Sequence, residues 1–509
     1  MPEFPDDKTL SFTRRTMLAA GGALALSPYS LGASAGEMED HRRPPDPASG
    51  ESLAVARFIA ETPFEALPEA TVRMTQRSIL DAIGVSMAAA GLEPACRPFL
   101  DLAFDSGSGD AVVMGTGRRC STGMSALANG ALAHSLDYED AHEPSFTHPN
   151  AATVAAAVSV ADAKGGVPGR EFVSAVAVGC DLVCRLALAQ GRVGELPTEG
   201  FYPPAIVGTF GAAAAAARLL GLDVPQTLDA ISLALCVNSC SAEILFSPYS
   251  DIRAIRDGYC AQAGVQAALL AQRGVKGFAA PLEGKGGFFT MYSGGLYLPG
   301  VLTDGLGKRF AGEDISFKAW PACRATHFYI QAILENHDQR ATPIDKIGSV
   351  RAYVKPSDMI VCEPAAEKRR PRAAIDAKFS LYFTLATALR HGRVDLGSFD
   401  DQALGEETTL ALADRIHYTI DPQAARPRAD GGEDLLVVRL ADGSERRWGI
   451  DQPFGSPQNP MSDEQLVGKF VDCGLASPKA PEREELEELA ADILALDEAP
   501  DVRSVTQRF

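Results

Sequence analysis

One short segment, residues 134–148, concentrates side chains that can exchange protons. It contains three of the eight histidines and three closely spaced acidic residues, namely His134, Asp137, Glu139, Asp140, His142 and His148. A carboxylate and an imidazole that lie close together shift each other's pKa, and general acid–base catalysis uses such pairs. The segment therefore predicts a proton-transfer site, with an ordinary solvated polar loop as the alternative.

A metal site is the rival interpretation of the same segment. His134, Asp137, His142 and His148 supply the nitrogen and oxygen ligands that zinc and similar ions bind. Their spacing matches no standard metal motif, and His134 and Asp137 at i,i+3 also fit one helix end. We therefore expect no metal at this site.

Helix-forming sequence lies on both sides of this segment and continues over residues 51–310. Within REFVSAVAVGCDLVCRLALA, the residues Phe172, Val176, Cys180 and Val183 form one apolar stripe at helical spacing. Several other segments, such as FGAAAAAARLLG, consist almost wholly of small apolar residues. The pattern predicts a large, closely packed, all-helical domain.

The pattern changes after about residue 310. Val350, Ala352 and Val354 alternate with polar residues, and LLVVRLADGSERRWGI predicts a hairpin that turns at Asp442-Gly443. Two helices, about 325–336 and 376–391, lie between the strands. We expect a smaller α+β lid domain over 311–455 and a segment, 456–509, that returns to the helical domain, so the fold class is mainly α.

The first 35 residues have the pattern of a twin-arginine signal peptide. Arg14 and Arg15 precede a modest apolar stretch, and Ala33-Ser34-Ala35 is a cleavage site of the A-x-A type. This stretch is too short and too rich in glycine to span a bilayer, and we expect no other segment to be apolar for long enough. The sequence predicts a periplasmic or exported protein with a linker over 36–50 and no membrane partner in its mature form.

Composition and missing motifs exclude several function classes. The net charge of −19 argues against nucleic acid as a partner. The ten cysteines include no C-x-x-C, and their closest pairs lie at helical spacing, which indicates buried thiols. GTGRRC lacks the third glycine of a dinucleotide loop, and GKGG lacks the Walker spacing. H-E-x-x-H does not occur, and the one G-x-S-x-G string, GASAG at 32–36, lies at the predicted cleavage site rather than in a nucleophile elbow.

The string AHSLDYEDAHEPSFTHPNAATVAAAVSVADAKG resembles the signature of the MmgE/PrpD family. The resemblance continues through GFYPPAIVGTFGAAAAAARLLGL, FKAWPACRATHFYIQAILE, AKFSLYFTLATALRHGRV and SPQNPMSDEQLVGKF, and it covers roughly residues 50–480. It implies a helical domain with a lid domain, a homodimer, and chemistry without a cofactor on small di- or tricarboxylates. The family's activities include dehydration of 2-methylcitrate, decarboxylation of cis-aconitate and epimerisation of iminodisuccinate.

The resemblance also implies roles for individual residues. Asp137 and His148 match the family's active-site aspartate and histidine, so we expect His148 to act as general base or acid and Asp137 to orient or charge it. This chain has Ala141 where the decarboxylase branch has threonine, Tyr202 where relatives have histidine, and Arg253 where they have lysine. Because the pKa of a phenol is near 10, Tyr202 suits an acid better than a base.

The chemistry common to the family removes a proton or a carboxylate next to a carboxylate and leaves carbanion-like charge on that carbon. Cations are needed to hold the substrate carboxylates and to stabilise this charge. We expect Arg253 and Arg256 to clamp carboxylates, because a guanidinium binds them with two nitrogens. Lys318, Arg324 and His327 would close over the substrate from the lid, and His134, Asp140 and His142 would support the site. The alternatives are surface cations at 256, 318 and 324, a packed histidine at 327 and a core aromatic at 202.

The sequence and its resemblance to the family together predict a cofactor-free lyase that removes a proton next to a carboxylate. A hydro-lyase of the 2-methylcitrate dehydratase type is the simplest form. The alternatives are an epimerase or isomerase of a small dicarboxylate and an exported carboxylate-binding protein without catalysis.

Overall fold

The computed structural model describes residues 50–191, 200–247, 250–338, 343–421 and 435–509. The predicted signal peptide and all but the last residue of the predicted linker lie outside these ranges. The described residues form mostly helices, with one small four-stranded sheet and one two-stranded hairpin. The predicted fold class, mainly α with a smaller α+β part, is confirmed.

Eleven α-helices form the described part of the chain before residue 310. They are α1 (Glu51–Glu61), α2 (Glu69–Leu92), α3 (Arg97–Asp105), α4 (Thr122–Ser135), α5 (Pro149–Lys164), α6 (Gly169–Ala189), α7 (Pro203–Leu220), α8 (Val224–Val237), α9 (Ile252–Gln272), α10 (Phe288–Ser293) and α11 (Pro299–Thr303). A hairpin of strands β1 (Ala111–Val113) and β2 (Arg118–Cys120) lies between α3 and α4.

Helices α4, α5, α7 and α9 form the centre of this part. Helix α9 packs along both α4 and α7, and α5 also packs against both. Small residues permit the close approach: a Cβ added at Gly130 of α4 would lie 2.4 Å from the carbonyl oxygen of Asp257 in α9. The 134–148 segment therefore joins two helices, α4 and α5, that are fixed by tight packing.

Two of these helices, α6 and α7, are long and apolar enough to cross a membrane. A bent pair, Glu69–Leu92 with Pro94–Asp105, passes the same test if it is counted as one span. The expectation that no segment beyond the N-terminus is apolar for so long is therefore wrong. A helix that is apolar on all sides fits a membrane or the core of a large protein equally well. In this structure 89% of the apolar stretch of α6 and 78% of that of α7 are buried inside the protein.

The second part of the chain contains a sheet with strand order β4-β3-β5-β6. Its strands are β3 (Ile347–Val354), β4 (Ile416–Ile420), β5 (Leu436–Leu440) and β6 (Glu445–Trp448). Strand β3 pairs in parallel with β4 and antiparallel with β5, and β5 pairs antiparallel with β6. The predicted alternation holds, because Val350, Ala352 and Val354 are buried. The predicted hairpin turns at Gly443, whose φ is 87°.

Six helices accompany this sheet. They are α12 (Arg324–Asn336), α13 (Ala365–Arg369), α14 (Ala374–Lys378), α15 (Leu381–His391), α16 (Asp401–Leu404) and α17 (Glu407–Ala413). The single helix expected over 376–391 is divided into α14 and α15. Ser380 divides it, because its side chain caps α15 by accepting a hydrogen bond of 2.9 Å from the amide of Phe383.

Three C-terminal helices follow, α18 (Asp463–Leu475), α19 (Arg483–Leu494) and α20 (Arg503–Thr506). Both α18 and α19 pack against α2. Leu486, Leu489 and Ile493 are buried in the same apolar cluster as Ile79 of α2. All ten cysteines are free, and seven of them are buried. Of the two closest pairs expected to be buried, Cys180 and Cys184 are buried, whereas Cys236 is exposed and Cys240 half-buried.

Candidate active site

The segment 134–148 is a buried loop between two helices. His134 lies in the last turn of α4, and His148 occupies the position directly before α5, without a side-chain hydrogen bond to the end of the helix. Asp137 has a φ of 49°, a left-handed conformation that aspartate tolerates better than most residues. Ala141 exchanges two backbone hydrogen bonds of 2.8 Å with Ser316, which ties the loop to the segment before the lid. The alternative of a solvated loop is therefore excluded.

Glu139 connects the two histidines at the ends of this loop. Its Oε1 lies 2.5 Å from Nδ1 of His134 and 3.0 Å from Nδ1 of His148. Burial alone would raise the pKa of Glu139, but the hydrogen bond from His134 and the positive charge of Lys318 hold that pKa well below its usual value. Glu139 is therefore an ionised carboxylate in the centre of the site.

This arrangement differs from the expectation that Asp137 orients His148. The carboxylate in contact with the His148 ring belongs to Glu139, two residues further on. Asp137 instead binds Lys318, whose Nζ lies 2.7 Å from its Oδ1 and 2.9 Å from its carbonyl oxygen. Asp137 has a left-handed backbone conformation, and spacing in the sequence does not reveal which way a loop side chain points from such a residue.

Lys318 is fully buried, so the alternative of a surface cation is excluded for it. Burial would lower the pKa of Lys318, but Asp137 and Glu139 outweigh burial and raise it. The lysine remains charged and balances the acidic residues of the loop.

His148 is the member of this group that a substrate can reach. Its side chain is 17% exposed, whereas His134, Asp137 and Glu139 are buried. Nδ1 lies 2.9 Å from the carbonyl oxygen of Asp140 and 3.0 Å from Glu139, both acceptors, so Nδ1 carries the hydrogen. Among the residues that the structure describes, Nε2 has no hydrogen-bond partner, which leaves its lone pair available for a proton.

His134 is held as a neutral ring. Its Nδ1 donates to Glu139, and its Nε2 accepts a hydrogen bond from Arg256. Burial and the positive charge of Arg256 lower the pKa of His134. His134 therefore positions Glu139 and Arg256 relative to each other.

Arg256 of α9 bonds His134, and Arg253 and Tyr202 lie beside Arg256. Arg256 is buried rather than on the surface, with Nε 3.4 Å from Oδ2 of Asp257 and its guanidinium 5.0 Å from the ring centre of Tyr202. Tyr202 precedes α7 and is buried against this guanidinium. Arg253 lies one turn before Arg256, and its guanidinium is 3.5 Å from the ring centre of Phe379. The structure thus brings Tyr202, Arg253 and Arg256 to the same side of the loop.

Asp140 and His142 occupy the flanks of the loop. Asp140 accepts a hydrogen bond of 2.9 Å from Asn150, and burial together with the charge of Asp81 raises the pKa of Asp140 to about 7. His142 bonds Ser145 at 2.6 Å, and burial lowers the pKa of His142 to about 4. His142 lies outside the group formed by Glu139 and its neighbours, so it supports the loop rather than the proton-transfer group.

Arg324, at the start of α12, connects this helix to the loop, and His327 lies beside it. Arg324 donates to Glu143 at 2.5 Å, to the carbonyl of Phe454 at 2.9 Å and to Nδ1 of His327 at 3.2 Å. His327 donates from Nε2 to the carbonyl of Ala322 at 3.1 Å. Burial and the charge of Arg324 hold the pKa of His327 well below its usual value. Both ring nitrogens of His327 are hydrogen-bonded within the protein, which agrees with the alternative that His327 is a packed histidine.

The residues that could bind a metal in the structure differ slightly from those predicted from the sequence. One atom each of His134, Asp137, Glu139 and His148 lies within 4.8 Å of the others, with Glu139 in the place expected for His142. Lys318 and Arg256 already bond members of this set, and both nitrogens of His134 are engaged. The positive charges of Lys318 and Arg256 oppose a further cation here, so chemistry without a metal stays our prediction, although Oδ2 of Asp137 and Oε2 of Glu139 have no hydrogen-bond partner among the described residues.

Lys469 is a site residue that the sequence did not indicate. Its Nζ lies 2.6 Å from Oδ1 of Asp81 and donates to the carbonyls of Tyr138 at 2.7 Å and Lys318 at 2.9 Å. It comes from α18, more than 300 residues after the loop that it holds, and a lone lysine on a helix carries no signal of such a contact.

A cleft of about 300 Å³ opens beside this site. Arg256 forms part of its wall, together with Asn238, Cys240, Glu243 and Tyr259. Access to Arg256 from this side is compatible with a small ligand of a few carboxylates.

Comparison with known proteins agrees with these observations. Residues 53–298 match the MmgE/PrpD N-terminal domain, and residues 320–493 match the MmgE/PrpD C-terminal domain. The chain belongs to the MmgE/PrpD family.

Relatives of this MmgE/PrpD protein include cis-aconitate decarboxylases. The protein of that name from Mus musculus is 26% identical over 416 residues, which cover 79% of this chain and 82% of the mouse protein. The one from Homo sapiens is 26% identical over 68% of this chain and 71% of its own length. A cis-aconitate decarboxylase-like protein from Aspergillus oryzae is 23% identical over 90% of this chain and 96% of its own length.

Proposed function

We propose that this MmgE/PrpD protein is a cofactor-free lyase that moves a proton at a carbon next to a carboxylate of a small di- or tricarboxylic acid. The observation that carries the proposal is the state of His148, whose Nε2 has no partner among the described residues while its Nδ1–H contacts the ionised Glu139. A neutral imidazole in this tautomer accepts a proton at Nε2, and the Glu139 carboxylate stabilises the imidazolium that forms. The relatives are named as decarboxylases of cis-aconitate, which is a tricarboxylate, and these names support a lyase.

We favour dehydration as the reaction of this chain. His148 takes a proton from the carbon next to a carboxylate, the bond from the neighbouring carbon to its hydroxyl breaks, and an acid protonates the leaving oxygen. Tyr202 is the candidate acid, because its phenol lies beside the guanidinium of Arg256. Arg253 and Arg256 are the candidates for stabilising the negative charge on the substrate.

Decarboxylation is the second candidate, and the names of the relatives favour it. In that reaction a carbon–carbon bond breaks, carbon dioxide leaves, and a protonated His148 delivers its proton to the remaining carbanion. His148 therefore accepts a proton in dehydration and donates one in decarboxylation. Ala141, in place of the threonine of the decarboxylase branch, and Tyr202, in place of a histidine, are our reasons for preferring dehydration.

A panel of acids followed by proton NMR in ²H₂O separates these reactions. We expect purified protein to convert a hydroxytricarboxylate such as 2-methylcitrate into an alkene with loss of water. Loss of carbon dioxide from cis-aconitate would support the second candidate instead. Deuterium incorporation without net conversion would indicate an epimerase. Binding of these acids with neither conversion nor exchange would overturn the lyase proposal and support a carboxylate-binding protein.

A further inference from the structure

Phe379, in the turn between α14 and α15, lies against two cations from different parts of the chain. The guanidinium of Arg253, from α9, is 3.5 Å from the centre of its ring. The ammonium of Lys368, from α13, donates a hydrogen bond of 2.7 Å to its carbonyl oxygen. Ser380 also bonds the carbonyl of Lys368, so the end of α13 is fixed beside this turn.

Arg253 and Lys368 differ from the other cations of this region because neither forms an ion pair with a carboxylate of the described residues. Lys318, Arg256, Arg324 and Lys469 each have a carboxylate oxygen within 3.4 Å. Within the described parts of the chain, no carboxylate lies within 4.0 Å of Arg253 or Lys368. Arg253 is 9% exposed, makes one hydrogen bond, of 3.3 Å, to the carbonyl of Ile244, and leaves its buried Nε without an acceptor in those parts.

A buried guanidinium without a counter-ion costs free energy, so such a group calls for a physical explanation. An anionic ligand that enters the site supplies the missing charge and the missing acceptors. The pair lies close to the proton-transfer group, because Arg253 is one turn before Arg256 on α9 and Arg256 bonds Nε2 of His134.

We propose that Lys368 is a substrate-binding residue that, together with Arg253, holds a carboxylate of the substrate other than the one at the reacting carbon. The inference rests on the proposed function for the identity of the ligand as a di- or tricarboxylate. It assigns to α13 of the lid a specificity-determining side chain that neither the sequence motifs nor the relatives' names indicate.

The surroundings of Lys368 give this inference a pH signature. Burial and the charge of Arg253 lower the pKa of Lys368 to about 8, while Cys323, Asp376 and Cys362 act in the opposite direction. A bound carboxylate stabilises the ammonium form, so ligand binding and protonation of Lys368 favour each other. Affinity for the ligand should then fall as the pH rises above about 8, where the free protein loses this proton.

The test uses tricarballylate, a tricarboxylate with no hydroxyl group and no double bond, and calorimetry to measure its Kd. We expect Lys368→Met to raise the Kd about tenfold or more at pH 7 and to remove the weakening of binding above pH 8. Lys368→Arg should keep the affinity at pH 7 and hold it constant to pH 9, because a guanidinium stays charged. Lys285→Met, a change at an exposed lysine, is the control and should leave the Kd unchanged.

A Kd that Lys368→Met leaves unchanged, or no detectable binding by the unaltered protein, would overturn the inference. Failure of Lys368→Arg to restore binding would do the same, since it would indicate a structural role. The outcome is separate from that of the proposed function, because binding is measured without turnover. If Lys368→Met loses binding and the unaltered protein catalyses no reaction, the carboxylate-binding site is supported and only the lyase proposal fails.

Discussion

At the scale of single residues, the site is a set of buried charges that balance one another. Asp137 and Glu139 are both fully buried, and Lys318 bonds the first and lowers the pKa of the second. When one partner of a buried ion pair is removed, the other becomes an uncompensated charge in a medium of low dielectric constant. The stability of the folded protein should therefore depend on the presence of both partners of each buried ion pair.

Lys318→Met tests this dependence. We expect the substitution to lower the free energy of unfolding by about 3–5 kcal/mol, because Asp137 is left as a buried charge without its partner. Urea unfolding measures the change. Adding Asp137→Asn to the same chain should recover much of the loss, and equal stabilities of the single and double variants would contradict the pairing.

Asp140 makes the stability of the site depend on pH near neutrality. Its pKa is raised to about 7 by burial and by Asp81, from an ordinary value of 3.8. The folded protein therefore favours the neutral acid, and this contribution to stability is full below pH 4 and is lost as the pH rises through 7. The loss amounts to at most about 4 kcal/mol.

Asp140→Asn removes this titration but can still accept the hydrogen bond from Asn150. We expect the variant to gain stability relative to the unaltered protein as the pH is raised from 5 to 8, as followed by thermal unfolding. Asp101→Asn, at an exposed position on α3, is the control and should give a constant difference. A constant difference for Asp140→Asn as well would show that Asp140 ionises freely in the folded state.

At the scale of the elements, the geometry of the site depends on how closely α4 and α9 approach. His134 is on α4 and Arg256 is on α9, and the hydrogen bond between them joins the two helices. Gly130 of α4 lies against the backbone of Asp257 and Gly258, with room for no side chain. A methyl group there must push the helices apart.

Gly130→Ala should therefore reduce activity and stability together. The added Cβ would lie 2.4 Å from the carbonyl oxygen of Asp257, so we expect a destabilisation of about 1–3 kcal/mol and a lower kcat as His134 and Arg256 separate. Thermal unfolding and steady-state kinetics on the same preparation measure both effects. Gly286→Ala, where an added Cβ meets nothing within 4 Å, should change neither. Normal activity in Gly130→Ala would show that the site tolerates movement of α4.

The sequence predicts these elements better than it predicts their contacts. Period-two alternation identified β3, and Asp442-Gly443 identified the turn between β5 and β6, because both signals are local. The same local signals placed His148 beside the loop that contains Glu139. They did not select Glu139 over Asp137 as its partner or bring Lys469 to the loop, because those contacts depend on backbone direction and on packing between distant segments.

At the scale of the whole molecule, α9 presents an exposed apolar face next to the cleft. Ile252, Tyr259 and Leu270 are 55%, 57% and 46% exposed, and Val237 and Phe246 nearby are 62% and 60% exposed. Apolar surface of this kind commonly marks a protein–protein interface. The homodimer expected from the sequence remains a proposal, and this face is our candidate for its interface.

Tyr259→Glu tests the dimer. We expect light scattering to show a dimer for the unaltered protein and a monomer for the variant, because a buried carboxylate opposes association of the apolar faces. Ile420→Glu, at an exposed position of the sheet, should leave the dimer intact. A monomeric unaltered protein would refute the dimer, and a dimeric Tyr259→Glu variant would place the interface elsewhere.

The key step of the proposed reaction is proton transfer by Nε2 of His148 at the carbon next to a carboxylate. Its most direct test is the rate of deuterium incorporation from ²H₂O at that carbon, measured by NMR for the unaltered protein and for His148→Asn. The asparagine amide can replace the Nδ1–H contact with Glu139 but has no group in place of Nε2. We predict a loss of rate of about 10²–10⁴-fold with little change in the Kd for tricarballylate. An unchanged rate in His148→Asn would contradict the account.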